Sequence, residues 1–203
     1  MERKFNCSEE QAMDYDYLTR MEKILGQHIE LPKELKIINE KISKGLCNGV
    51  TLIGTTGSGR VAYANLMARE LKAPTFRLSF TSETRLEDIY LSQTFSEPIE
   101  KGGFLIIDGM EFCCENVIRW LEKWFLWILP GRKLEKPKLD ILVEIPEYIM
   151  SPNFVLVLIL NVDHWRRSIK WFANYPIFAI YGNIPNPLKI RKLYKEEKTD
   201  ERK

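Results

Sequence analysis

Eight residues, GTTGSGRV at 54–61, carry the types and spacing that chemistry on an anion requires. Gly54, Gly57 and Gly59 stand between an apolar run, NGVTLI, and a helix-forming run, AYANLMARELKA. Glycine reaches backbone conformations closed to other residues, so such a loop can turn its N–H groups toward one point. The start of the following helix adds partial positive charge. Phosphate is the anion this arrangement suits, and the candidate binding set is Gly54, Thr55, Thr56, Gly57, Ser58, Gly59, Arg60 and Val61. Tight strand-to-helix turns also use glycine for purely structural reasons, and the loop alone leaves both readings open.

The complete signature GxxxxGK[ST] asks for a lysine that reaches the outer phosphates and a hydroxyl that binds Mg2+. Here those places hold Arg60 and Val61. Arginine keeps the charge in a bulkier planar fork, whereas valine cannot ligate a hard cation. A second signal is GGFLIIDGME, an apolar strand ending in Asp108, where a Walker B aspartate orients the metal. Asp108 is therefore the candidate metal residue, the alternative being a strand-end aspartate that caps a turn. Gly109 stands where a water-polarising glutamate is wanted. Glu111 lies two residues further on, in a register expected to point it elsewhere.

These groups need a scaffold, and the chain supplies alternating elements. PKELKIINEKISKGL spaces Leu35, Ile38, Ile42 and Leu46 for a helix, and RVAYANLMARELKA and ENVIRWLEKWFLWIL also read as helices. The runs ending at Gly54, TFRLSF, GGFLIID, FVLVLILN and PIFAIYG read as short strands without polar alternation. That pattern is what a parallel sheet covered on both faces requires, which predicts a single α/β domain. The 203 residues suffice for one sizeable core. A net charge of +2 gives no sign of a nucleic-acid partner driven by bulk charge. The longest apolar run, 154–162, is about half the length a membrane helix needs. Without an apolar leader, and with Cys7, Cys47, Cys113 and Cys114 lacking CxxC spacing, a cytoplasmic protein with reduced thiols is expected.

The order of these pieces resembles an AAA+ module of the midasin and dynein-related kind. QHIELPKELKIINEKISKGLCNGVTLIGTTGSGR matches the upstream helix and P-loop, TRLEDIYL its T..EDL-like segment, and IEKGGFLIID its Walker B strand. IPEYIMSPNFVLVLILN is similar to its IPE…HPNF…N stretch, and the likeness covers residues 25–187. It implies a three-layer αβα P-loop NTPase core with a five-stranded parallel sheet. The domain spans 25–190, between an N-terminal extension (1–24), read as loosely docked, and a charged tail (191–203).

By that resemblance Asn161 falls on the sensor asparagine that positions the hydrolytic water, the one candidate catalytic residue; otherwise it only terminates a strand. Ala173 and Tyr175 occupy the places of an arginine finger, with Arg166 and Arg167 a little upstream. The C-terminal helical lid of the family has no counterpart, and the short SQTFSEPIE replaces its helix and pore loops. A finger is worth about 10³ to 10⁵ in rate and a general base about 10² to 10⁴. Expected, then, is a pseudo-ATPase that binds ATP or ADP with weak or absent Mg2+ and acts as an assembly or scaffold component. The alternatives are an active ATPase with atypical motifs and a structural protein with an empty loop. Arg60→Lys, Val61→Thr and Gly109→Glu together should strengthen Mg2+-dependent binding without restoring turnover. On ENVIRWLEKWFLWILP, Val117, Leu121, Trp124, Phe125 and Ile128 form the sheet-facing stripe, and Trp120 and Trp127 flank it. The wide sector suits either a protein partner, another copy included, or a broad buried face.

Overall fold

The computed structural model describes residues 3–5, 18–20, 22–24, 26, 28–125, 147–161 and 177–180, without the side chains of 122–125 and 177–180. Helix α1 (Lys33–Ser43) leads into β1 (Gly49–Gly54), α2 (Arg60–Glu70) and β2 (Thr75–Ser79). A short α3 (Leu86–Tyr90) and α4 (Gln93–Lys101) precede β3 (Gly103–Asp108). A 3-10 turn at Met110–Phe112, α5 (Glu115–Phe125), β4 (Phe154–Asn161) and β5 (Ile177–Ile180) complete the described elements.

The five strands form one sheet in the order β2-β3-β4-β1-β5, and every adjacent pair is parallel. All eight residues of β4 are buried, which explains the apolar run without polar alternation. Successive residues face opposite sides. Val155, Val157 and Ile159 pack with Leu35 and Ile42 of α1 and Leu66 and Met67 of α2. Leu156, Leu158 and Leu160 pack with Ile89, Phe95, Ile99, Val117 and Leu121 from α3, α4 and α5. Two cores separated by a sheet make three αβα layers, the fold class expected from the sequence.

Several local expectations differ from the structure. Leu46 is 76% exposed, because α1 stops at Ser43 and the chain turns before that position can join the Leu35 and Ile42 face. The segment QTFSEPIEK forms a helix after all: the Ser92 hydroxyl accepts the N–H of Phe95 as an N-cap, and Phe95, Pro98 and Ile99 are buried against the sheet. Trp120 is half-buried, with its ring 5.7 Å from that of Tyr90 and 5.9 Å from that of Phe95. It therefore belongs to the buried-face reading of α5. The side chains of Trp124 and Phe125, together with Trp127 and Ile128, lie outside the described residues.

The described part of the extension is bound at several points. The Arg3 guanidinium donates to the carbonyls of Ile42 (3.1 Å), Cys47 (2.8 Å) and Pro152 (2.9 Å), and to the side chain of Asn48. Its backbone N–H donates to Ser43 O at 2.8 Å. Carbonyls at the end of α1 thus gain a cationic partner where the helix carries partial negative charge. Asn153 donates to Lys4 O, and the ring of Phe5 packs on Phe104. Further along, Glu22 accepts both terminal nitrogens of Arg69, at 2.8 and 3.0 Å, tying residues 22–24 to α2.

Candidate functional site

The chain leaves β1 toward β2 at one edge of the sheet, and the next described strand after β4 is β5 at the other edge. Because β1 and β4 are neighbours, their C-terminal ends flank a topological switch point, where open α/β sheets bind ligands. Gly54 pairs with Asn161 there, and Asp108 pairs with Ile159 one strand further along.

Residues 55–59 form the turn at that point. Gly57 and Gly59 have φ of +80° and +84°, a region that favours glycine, and this accounts for the glycine spacing. Thr55, Thr56 and Gly57 are exposed, whereas Gly59, Arg60 and Val61 are half-buried. Gly59 is the N-cap of α2 and brings no side-chain acceptor to the first helical turn. The early N–H groups of α2 are left to another acceptor. Ser58 is buried, and its hydroxyl oxygen has no hydrogen-bond partner among the described residues. A cradle of this kind, with an orphaned hydroxyl and an uncapped helix start, fits a phosphate group.

Asn161 is buried, and its amide donates to the Thr56 hydroxyl at 2.8 Å. The residue expected to sense a ligand is thus in direct contact with the loop expected to hold it. Asp108 stands at the end of β3 with 25% of its side chain exposed, and its Oδ2 accepts from Arg77 at 2.8 Å. Arg77, on β2, pairs with Ile106, two residues back along β3. That partner was not evident in the sequence, because it comes from an adjacent strand about 30 residues away. It also weakens the donor set for a hard dication. The strand-end carboxylate of Asp108 is already paired with Arg77, Val61 offers no oxygen, and no group of three metal-ligating side chains occurs among the described residues.

Glu111 corrects a sequence expectation. It does not point elsewhere: it is 3% exposed and lies within the site. Gly109, at φ +83°, reverses the chain at the end of β3, and the 3-10 turn that follows returns position 111 inward. Burial pushes the Glu111 carboxyl above the usual range, and the charge of Asp108 pushes it further. Hydrogen bonds from the backbone N–H groups of Glu111 and Asn161, and the charge of Arg60, act the other way. Its Oε2 has no hydrogen-bond partner among the described residues.

Gly109 itself cannot carry the missing acid. A Cβ there would stand 2.5 Å from the carbonyl oxygen of Phe80, so Gly109→Glu is a structural change before it is a chemical one. The arginine-finger positions Ala173 and Tyr175, and Arg166 and Arg167, lie outside the described residues. A separate groove of about 530 Å3 opens between the end of β2 and the start of α5, lined by Ser82, Glu83, Thr84, Arg85 and Asn116 among others. It includes no residue of the 54–61 loop.

Parallel strands in this order, helices on both faces and a glycine turn at the switch point define a core of the P-loop NTPase class. No protein-family model matches the chain, and no curated protein matches it significantly. Among solved structures it is similar to Thermotoga maritima RuvB. For the Holliday junction branch migration motor, identity is 17% and the TM-score 0.48, over 73% of this chain and 42% of that one. A single-substitution variant gives 18% and 0.49 over 73% and 42%. Another gives 16% and 0.47 over 96% and 53%. The chain spans about half or less of the length of these structures.

Proposed function

We propose that the chain is an AAA+-type nucleotide-binding module that holds the phosphates of ATP or ADP in the 54–61 loop and turns over slowly or not at all. The observation that carries this reading is the contact between Asn161 and Thr56, which joins the end of β4 to an uncapped, glycine-built turn. Loop amides, the start of α2 and Arg60 would hold the phosphates, and Asn161 would respond to the terminal one. Asp108 would approach any metal through water, in competition with Arg77. The module would work as part of an assembly, with another protein or further copies completing the site. The midasin and dynein-related subtype is the finer reading, favoured by the motif order.

Equilibrium titration with ATP and ADP, with and without Mg2+, tests this reading. Submillimolar binding that is little changed by Mg2+ is expected, and no binding at millimolar nucleotide would remove it. A second reading, an active ATPase with atypical motifs, is favoured by Glu111. Burial raises its carboxyl above the usual range, which makes it a stronger base than an exposed glutamate. Phosphate release that disappears in Glu111→Gln while nucleotide binding persists would establish it.

A further inference from the structure

Asp108 already has a cation beside it, and strand alternation places both groups on the α2 side of the sheet. Phe76 and Leu78 of β2 pack into the core on the α3–α5 side, so Arg77 between them faces the other way. Its cross-strand partner Ile106 packs against α1 and α2, as does Ile159, the partner of Asp108 on β4. Asn161 lies two residues beyond Ile159 and shares that face. Arg77 therefore reaches along the sheet toward the strand ends, and its Nη2 donates to Asp108 Oδ2 at 2.8 Å. The side chains of Arg77 and Asp108 are 44% and 25% exposed, so the pair adds little to folding. What it changes is what Asp108 can bind.

We propose that Arg77 sets the metal requirement of the site: its guanidinium takes the place at Asp108 that a divalent ion would need, and the chain takes a nucleoside polyphosphate in its metal-free form. This rests on the reading of 54–61 as a phosphate cradle. Magnesium is held by one or two carboxylates and by the phosphates it bridges, in near-octahedral geometry. Here Val61 gives no oxygen, and no three ligating side chains gather among the described residues. The carboxylate of Asp108 is engaged by a group that stays charged at any working pH. A metal at Asp108 must first displace that guanidinium, whereas a metal-free phosphate needs only the loop amides and the charge of Arg60. The protein itself thus supplies the positive charge that a metal would bring to this end of the sheet. Val61→Thr would add an oxygen but leave the obstacle in place.

The test is titration of the full chain with ATP, in excess chelator and in excess Mg2+, for the wild type, Arg77→Met, and Arg77→Met combined with Asp108→Asn. In the wild type the two affinities should agree within about twofold. In Arg77→Met the Mg2+ form should bind at least about tenfold more tightly than the metal-free form, and adding Asp108→Asn should abolish that preference. An Arg77→Met protein with no preference for Mg2+ overturns the proposal. So does a preference that survives Asp108→Asn, which would mean only that a positive charge had been lost near the phosphates. A wild type that already favours the Mg2+ form as strongly as Arg77→Met overturns it too. If no protein binds at millimolar nucleotide, the cradle reading has failed and the proposal falls with it. A measurement on the wild-type chain guards against a misfolded variant. With ATP bound, the Arg77 Nε resonance should stay in place when Mg2+ is added, and a move to the position it has in Asp108→Asn overturns the proposal.

Discussion

Gly109→Ala should destabilise the protein by about 2–5 kcal/mol, and the size can be worked from two separate causes. Gly109 has φ +83°, where an L side chain costs roughly 1–2 kcal/mol. The added Cβ would also lie 2.5 Å from the Phe80 carbonyl oxygen, a backbone atom that has little room to give. Phe80 N–H donates to Asp108 O at 2.8 Å, so moving Phe80 disturbs the end of β3 as well. Overpacking of this kind typically costs about 1–3 kcal/mol. For a domain of this size each kcal/mol shifts Tm by roughly 2–4 °C, so a fall of about 4–20 °C is expected in a thermal melt. Gly26 provides the control. Its φ is +63° but nothing lies within 4 Å of a Cβ there, so Gly26→Ala should show only the conformational part. Equal melting of the two variants would refute the clash at Gly109, and with it the conclusion that no acid can be restored at that position.

Arg3→Ala removes a cation from three backbone carbonyls and should cost roughly 2–4 kcal/mol, read as a lower urea midpoint; an unchanged midpoint would mean that residues 3–5 contribute no stability. Glu22 has its carboxyl held below the usual range, first by the hydrogen bonds from Arg69. Its contribution is therefore present above the unfolded carboxyl pKa of about 4.3 and lost as pH falls through the lower folded value. Arg69→Met should lower stability at neutral pH and flatten that acid limb in denaturation curves collected across pH. Burial pushes the Cys113 thiol up to about 12, so it should resist maleimide at neutral pH in a Cys114→Ser background until the chain is unfolded. The exposed Cys114 should react in the native wild-type protein, and early labelling of Cys113 would contradict the packing of the 3-10 turn.

The sheet was legible because its strands are apolar on both faces, and the loop because Gly57 and Gly59 occupy positive φ that their identities advertise. Asn161 was singled out only through the family resemblance, and its contact with Thr56 is what the structure adds. What the sequence hid was the direction of the chain after β3. Counting two residues on from Gly109 assumes a continuing strand, but a left-handed glycine followed by a three-residue turn places Glu111 inside the site. Arg77 was hidden for a different reason, since its partner Asp108 is defined by strand pairing alone. The segment around Pro98 misled through length: a nine-residue helix with a serine N-cap and a buried proline fits a stretch that reads as a short connection.

The double-sided burial of β4 has a consequence for how its alignment is encoded. A strand with one wet face is locked by hydrophobicity, because a slip of one residue would expose its apolar set. In β4 such a slip would merely exchange valines and leucines between two equally greasy compartments. Alignment must instead be written at the two ends. At the entrance, Gly49 approaches Leu156 so closely that a Cβ would stand 2.5 Å from its carbonyl oxygen. At the exit, Asn161 must meet Thr56. Deleting a single residue within β4 would leave the interior about as oily as before while pulling that asparagine out of reach, so the ligand-facing end would suffer first.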